Sequence, residues 1–387
     1  MRDERVVPFE GGTARLVKLG DAQKLEAWQR AFQGKPKDKR YYELIEQTLA
    51  NDFEFRYLVL EDGTRNVRAV QSVFFVRQNL IEGVRGALRK IVDLVRRIFP
   101  RFLTMRVLMV GCAAGAGELD ANSSEDGCWV AHALGSVLRD YARAHKASLI
   151  VFKDFPSGYR DALSVLSRHG YTRVPSMPMT RLALNFRNFD HYLGTLGYVS
   201  RKSLRRKFRK TESAARIEME VVTNPAPIID EIFPLYLQVH ERSPMKFENL
   251  SKEFFLSIAK TVPEQALFFV WRIDNRVVAF SLALLFGDTL YDEVIGLDYD
   301  IALDLHLYFY TMRDVIRWAL EQNVRHYVSG PLNYDPKLHL GHELAPLDLY
   351  ARHTRGWLNP IFSFALKYLE PTRHDPVLKR FPNAAQL

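Results

Sequence analysis

ALFFVWRI (Ala266–Ile273), VVAFSLALLF (Val277–Phe286) and TLYDEVIGL (Thr289–Leu297) follow one another with only Asp274-Asn275-Arg276 and Gly287-Asp288 between them. Each is an apolar run of strand length bounded by turn residues, so the stretch predicts a three-strand antiparallel meander. The period then changes. Leu305, Tyr308, Met312, Val315, Ile316, Ala319 and Leu320 recur at helical spacing, which predicts a helix over Leu305–Gln322. His326–Ser329 reads as a short strand that stops at Gly330-Pro331.

The same order occurs upstream. Phe55–Leu60 and Val67–Val76 bracket Asp62-Gly63 as a hairpin, and Met105–Gly111 is an apolar strand. Trp129–Lys146 has Val130, Leu134, Val137, Leu138 and Tyr141 on one helical face, Ser148–Lys153 is the next strand, and Tyr159–His169 a helix closed by Gly170. Two divergent copies of one unit follow, dividing the chain at 1–197 and 198–387. The fold class expected is α/β (α+β), with each unit a mixed, mostly antiparallel sheet flanked by helices. Residues 81–100 interrupt the first copy with a basic amphipathic helix, Ile81–Phe99, stopped by Pro100. Such a helix packs on its own sheet, covers a cleft or lies on an anionic membrane surface. Trp357–Phe381 reads as a Pro-flanked helical tail, with a helix over Ile361–Leu369, that packs back on the second unit.

Composition sets the outer bounds. A chain of 387 residues exceeds the ~250 at which single cores stop growing. Its 47% apolar content indicates packed rather than disordered protein. No run reaches the ~18 apolar residues of a membrane span, and the mixed-charge start MRDERVVPFEGG reads as no secretory signal. Cys112 and Cys128 fit a reducing compartment and read as two inert thiols. The expected location is therefore cytoplasmic, or peripheral at the inner membrane face. The net charge of +9 concentrates in Arg85–Arg106 and Arg201–Lys210. It favours anionic ligands such as coenzyme A, nucleic acid or acidic lipid, or else marks a solvated helix face. No recognition motif accompanies the charge to suggest a plain nucleic-acid binder.

The basic helix RKSLRRKFRK (201–210), followed by FSLALLFGDTLYDEVIGLD (280–298) and GPLNYDPKLHLG (330–341), resembles the FemAB-like branch of the Gcn5-related N-acyltransferases (GNAT). That branch consists of tandem-unit proteins and includes peptidoglycan-biosynthesis and BioF2-like acetyltransferases. The resemblance covers roughly residues 13–355 and implies acyl transfer where the third and fourth strands of a unit splay apart. A base is then expected on or near the third strand, and Glu293 fits it, with desolvation by its apolar strand raising its carboxyl. Asp292 alternates to the other face. A leaving-group acid is expected past the fourth strand, where Tyr334 stands; alternatively, that tyrosine covers the core in a turn. Ser329, Asn333 and Lys337 fall beside it as binding residues. His306 and Tyr308 open the helix whose N-terminus would take a pyrophosphate. Asp298, Asp300 and Asp304 stand where a Gly-rich loop is usual in such enzymes, which disfavours coenzyme A and suits aminoacyl-tRNA, the donor of the branch's best-known members. Lys153 and Asp154 are the corresponding ligand candidates in the first copy.

Two other motifs carry less. Gly111–Gly117 (GCAAGAG) has the composition of a phosphate cradle but no helix directly after it. His339-Leu340-Gly341-His342-Glu343 matches neither zinc-helix spacing. No metal and no permanently bound cofactor is expected. The reading is an N-acyltransferase moving an acyl group from acyl-CoA, as co-substrate, to a primary amine of a small molecule or of a cell-envelope or natural-product precursor. Aminoacyl-tRNA or an acyl carrier protein is the alternative donor. A non-catalytic ligand- or membrane-binding protein of the same fold is the rival of another class.

Overall fold

The computed structural model describes residues 5–79 and 104–387. The expected amphipathic helix at 81–100 lies outside them.

Among the described residues, seven strands come before residue 176: β1 (Val6–Phe9), β2 (Gly12–Val17), β3 (Glu54–Asp62), β4 (Val67–Asn79), β5 (Thr104–Val110), β6 (Leu149–Pro156) and β7 (Thr172–Pro175). Eight follow: β8 (Met179–Ala183), β9 (Glu218–Val222), β10 (Ala266–Ile273), β11 (Arg276–Phe286), β12 (Thr289–Leu297), β13 (His326–Ser329), β14 (Glu343–Ala345) and β15 (Leu347–His353). They form two sheets, ordered β1-β2-β3-β4-β5-β6-β15-β7 and β14-β8-β13-β12-β11-β10-β9.

The repeat is visible in the pairing. In the first sheet β3, β4 and β5 are antiparallel neighbours and β5 pairs parallel with β6. In the second, β10, β11 and β12 are antiparallel and β12 pairs parallel with β13. A parallel neighbour requires a crossover, supplied by the helices Ser124–Ala144 and Leu307–Glu321. Each buries the apolar stripe read from the sequence. Val130, Leu134, Val137, Leu138 and Tyr141 enter the first core, and Met312, Val315, Ile316 and Ala319 the second. The β10–β11 turn has Asp274 and Asn275 both at positive φ (47° and 64°), the two-residue geometry whose twist suits a hairpin.

Two strands leave the unit expected from chain order. The first compact unit holds residues 1–176, 244–248 and 347–373; the second holds 177–243, 249–346 and 374–387. The division in space thus departs from a cut at 197/198. β8 pairs with β13 and β14 in the second sheet, and β15 pairs with β6 and β7 in the first. The helix Asn359–Leu369 packs on β15 and β7, so it belongs to the first unit and not, as expected, to the second. Sequence periodicity shows that a strand exists but not which sheet completes it.

Candidate functional site

β12 and β13 stay paired for four residues, from Thr289↔His326 to Asp292↔Ser329, and the pairing ends there. On its other side β12 slips one residue against β11. Leu282 faces Val294 and Ala283 faces Asp292, leaving Glu293 as the extra residue of a β-bulge. The bulge sets Asp292 opposite Ala283 of β11.

Asp292 is consequently the carboxylate of this junction. It accepts hydrogen bonds from Ser281 Oγ and from the Tyr327 hydroxyl. Burial pushes its carboxyl above the usual range, against the pull of those two bonds and of nearby Lys337. Tyr327 is fully buried; burial, and then the Asp292 charge, hold its hydroxyl well above a normal phenol. Ser329, also buried, stands at the end of β13, and its side chain pulls the Tyr327 hydroxyl weakly the other way. Glu293 is partly buried beside this group.

The chain leaves β13 through Gly330-Pro331 and then two residues with left-handed backbone, Leu332 (φ 71°) and Asn333 (φ 49°). A leucine there is strained. The pair reverses the chain into the short helix Tyr334–His339, which carries Lys337 back under the strand end. Lys337 is 2% exposed. Its Nζ donates to the carbonyl of Gly330 and, at 3.0 Å, to that of Leu332. Burial lowers its ammonium to about 7, with Asp292 opposing. A lysine that loses its proton near neutrality is a usable base.

Tyr308 lies in the first turn of Leu307–Glu321. Burial, then the Asp292 charge, raises its hydroxyl, and the nearby Asn333 side chain pulls it the other way. The junction therefore gathers Asp292, Tyr308, Tyr327, Asn333 and Lys337. His342 sits behind them, 1% exposed. Its Nδ1 lies 3.2 Å from Thr180 Oγ1 while its Nε2 has no partner. Burial, then Lys337, lowers it to about 3.

Tyr334 stands apart from the role expected of it. Its hydroxyl donates to the Pro178 carbonyl at 2.8 Å, and its ring is buried with Met177, Leu344, Leu378 and Phe381. It serves the core, because the left-handed pair at 332–333 turns it inward. Lys153 and Asp154 also stand apart, in the first unit. They form an ion pair at 2.7 Å, and Ser176 Oγ donates to Asp154. Burial alone would pull Lys153 down, but Asp154 and buried Glu248 outweigh it and leave it above its ordinary value.

His306 occupies the cap before Leu307–Glu321 with left-handed backbone (φ 48°). Burial lowers its imidazole first, and Lys207, Lys210 and Arg206 of the basic helix Tyr198–Ala214 lower it further. That helix is fastened here, with Thr211 Oγ1 donating to the Leu305 carbonyl at 2.5 Å and Lys207 Nζ 4.7 Å from the Phe309 ring centre. The expected repulsion from three aspartates is reduced. Asp298 turns inward, 4% exposed, and accepts Arg276 Nη2 at 2.5 Å. Its other oxygen accepts the Asp300 N–H at 3.1 Å. Three cations thus lie near the start of this helix, while its Leu307, Phe309 and Tyr310 N–H groups donate to the Ala302 and His306 carbonyls.

His339 and His342 of the HLGHE motif diverge, the first 3.2 Å from Ser200 Oγ and the second buried on Thr180. Among the described residues no three His, Cys, Asp or Glu side chains gather to hold a metal ion. No described helix is long and apolar enough to cross a membrane.

Residues 199–338 match the family described as acetyltransferase (GNAT) domain. Among solved structures, the chain is similar to FemX, with TM-score 0.52, 12% identity, 87% of this chain and 96% of that one covered. It is also similar to L-PGS from Bacillus licheniformis, with TM-score 0.50, 11% identity, and 88% and 98% covered. At such identities the likeness is one of fold. No curated protein matches the sequence.

Proposed function

We propose that this chain, whose residues 199–338 match an acetyltransferase (GNAT) domain, is a tandem, FemAB-like member of the GNAT superfamily and transfers an acyl group from acyl-CoA to a primary amine. The observation that carries this reading is Lys337, a buried amine titrating at about 7, within the field of Asp292 where β12 and β13 part. In the proposed reaction the acceptor nitrogen attacks the thioester carbonyl, forming C–N as C–S breaks. Neutral Lys337 takes the proton that the nitrogen sheds. Tyr308, kept protonated by its surroundings, gives a proton to the departing thiolate. The donor's phosphates lie at the N-terminus of Leu307–Glu321, against Arg206, Lys207 and Lys210.

Aminoacyl-tRNA is the second reading, on one observation. The basic helix exposes Lys202, Arg205, Arg206, Arg209 and Lys210, more cations than one pyrophosphate needs and a suitable row for a polyphosphate backbone. Thermal-shift titration with acetyl-CoA, longer acyl-CoAs and free CoA tests the first reading, followed by thiol-release assays with a panel of amines. A saturable midpoint shift and amine-dependent CoA release support it. No shift with any CoA species, together with tight salt-sensitive binding of aminoacyl-tRNA, replaces it with the second.

A further inference from the structure

The helix Asn359–Leu369 of the first unit leaves one face open. Trp357, just before it, is 71% exposed, and Ile361, Phe364 and Tyr368 are 65%, 65% and 57% exposed. Their spacing of four, three and four residues places them on one side. The other side is engaged. The helix packs on β15 and β7, Asn359 Nδ2 donates to the Gly170 carbonyl at 2.8 Å, and the Phe362 ring lies 6.3 Å from that of His353. Phe364 and Tyr368 contact each other, centroids 5.1 Å apart, so the open face is a continuous aromatic surface and not scattered single side chains.

Basic residues surround that face. Arg355, Lys367 and Arg373 are exposed around it. Arg139 reaches within 3.6 Å of the Cβ position at Gly356, next to Trp357, and its Nε donates to the Thr354 carbonyl at 3.3 Å. Arg352 lies close enough to Arg139 and Arg143 to feel both charges. The one carboxylate at the end of the helix, Glu370, is already paired with Arg373 at 3.0 Å.

We propose that this face docks the protein on an anionic lipid surface, with Trp357, Ile361, Phe364 and Tyr368 entering the headgroup–acyl boundary and the arginines meeting lipid phosphates. An interfacial helix combines large aromatic side chains on one side with flanking cations, and this helix, about 16 Å long at the usual rise, has both. A second copy of the chain is the poorer occupant. A two-fold contact through this face would bring each copy's arginine cluster against the other's, and like charges facing across an interface oppose association. The docking site does not depend on the acyl-transfer reading.

Flotation of the full chain with vesicles tests this. One set is phosphatidylcholine; the other contains roughly a third phosphatidylglycerol. Binding is expected to the anionic set only and to weaken with added salt. Ile361→Ser with Phe364→Ser is expected to lower the partition coefficient by at least about tenfold with an unchanged thermal midpoint, since both side chains are exposed. Trp357→Phe is expected to keep binding while losing most of the tryptophan quenching by brominated lipid. Absence of wild-type binding overturns the proposal, as does equal binding by the double variant. A wild-type dimer that the double variant converts to monomer, without vesicle binding by either, assigns the face to a second copy instead.

Discussion

Asp292 and Ser329 are the last register pair of the parallel β12–β13 ladder, and Tyr308, Tyr327 and Lys337 all lie within the influence of the Asp292 carboxylate. The Gly330 N–H still donates to the Asp292 carbonyl at 3.3 Å, and beyond it the two strands no longer pair. Asp292 and the Ser329–Tyr327 pair line one side of the group, and the returning Lys337 the other.

Lys337→Met is expected to lower kcat by about 10²–10³ and to remove the rise of kcat with pH centred near 7, since the wild-type amine must be neutral to accept a proton. Stability supplies a second readout with a definite sign. Folding lowers this lysine to about 7, so between that pH and the ordinary lysine range the unfolded chain binds more protons than the folded one. Wild-type stability therefore gains with rising pH across that window. Below it, the wild type carries the full cost of a buried ammonium, which the methionine lacks. Denaturant melts should show the variant's stability relative to wild type falling as pH rises from 7 to 10. A constant difference means the lysine is not titrating in the folded state.

Tyr334 and Tyr308 separate a core tyrosine from a site tyrosine. Tyr334→Phe removes the bond to the Pro178 carbonyl inside the small cluster of Met177, Leu344, Leu378 and Phe381. It should cost about 1–2 kcal/mol of stability and leave kcat within a factor of about two. Tyr308→Phe should do the reverse, keeping the melt and lowering kcat at least about tenfold. Steady-state kinetics and denaturant melts on both variants decide it, and a large kcat loss in Tyr334→Phe returns that residue to the site.

The sequence showed the order of elements with little error. β10, β12 and β13 begin and end where their apolar runs do, because turn residues flank each closely. The same order already put Ser329 at the end of the fourth strand, Asn333 and Lys337 just past it, and His306 and Tyr308 at the start of the helix. Three things were not. The bulge at Glu293 is a register slip between two strands, and no local pattern encodes it, so alternation alone did not single out Asp292 over Glu293. The left-handed pair Leu332-Asn333 decides that Lys337 rather than Tyr334 joins the junction, and leucine gives no sign of such a backbone. The roles of Tyr327 and His342 arise from burial and long-range partners; an apolar-looking strand and a false metal motif were all that marked them.

The cations beside His306 should act on binding more than on chemistry. Arg206, Lys207 and Lys210 all depress that imidazole, so their field reaches the N-terminus of Leu307–Glu321. Arg206→Gln with Lys210→Gln, two exposed side chains, is expected to raise the donor KM about tenfold and leave kcat nearly unchanged. The effect should shrink as salt is added, since exposed charges are screened over about 10 Å at 0.1 M. An equal fall in kcat at saturating donor points to a role in the transition state.

Asp348 ties the exchanged strand β15 into the first sheet. Its side chain is 1% exposed and receives Arg160 through two bonds, at 2.7 and 3.1 Å, and Arg173 at 2.6 Å. Both arginines come from elements before residue 176, so the cluster fastens the last strand to a sheet made almost wholly from the start of the chain. Removing the shared carboxylate leaves two guanidinium groups facing each other, each about a third exposed and so partly solvated. Asp348→Ala is expected to destabilise the first unit by roughly 1–3 kcal/mol. Hydrogen exchange should show protection lost first in β15 and β7, with β10–β12 still protected at denaturant concentrations where β15 has opened. Arg173→Ala alone should cost much less, because Arg160 still pairs the carboxylate. If Asp348→Ala proves no worse than that single arginine change, the cluster is not what holds β15.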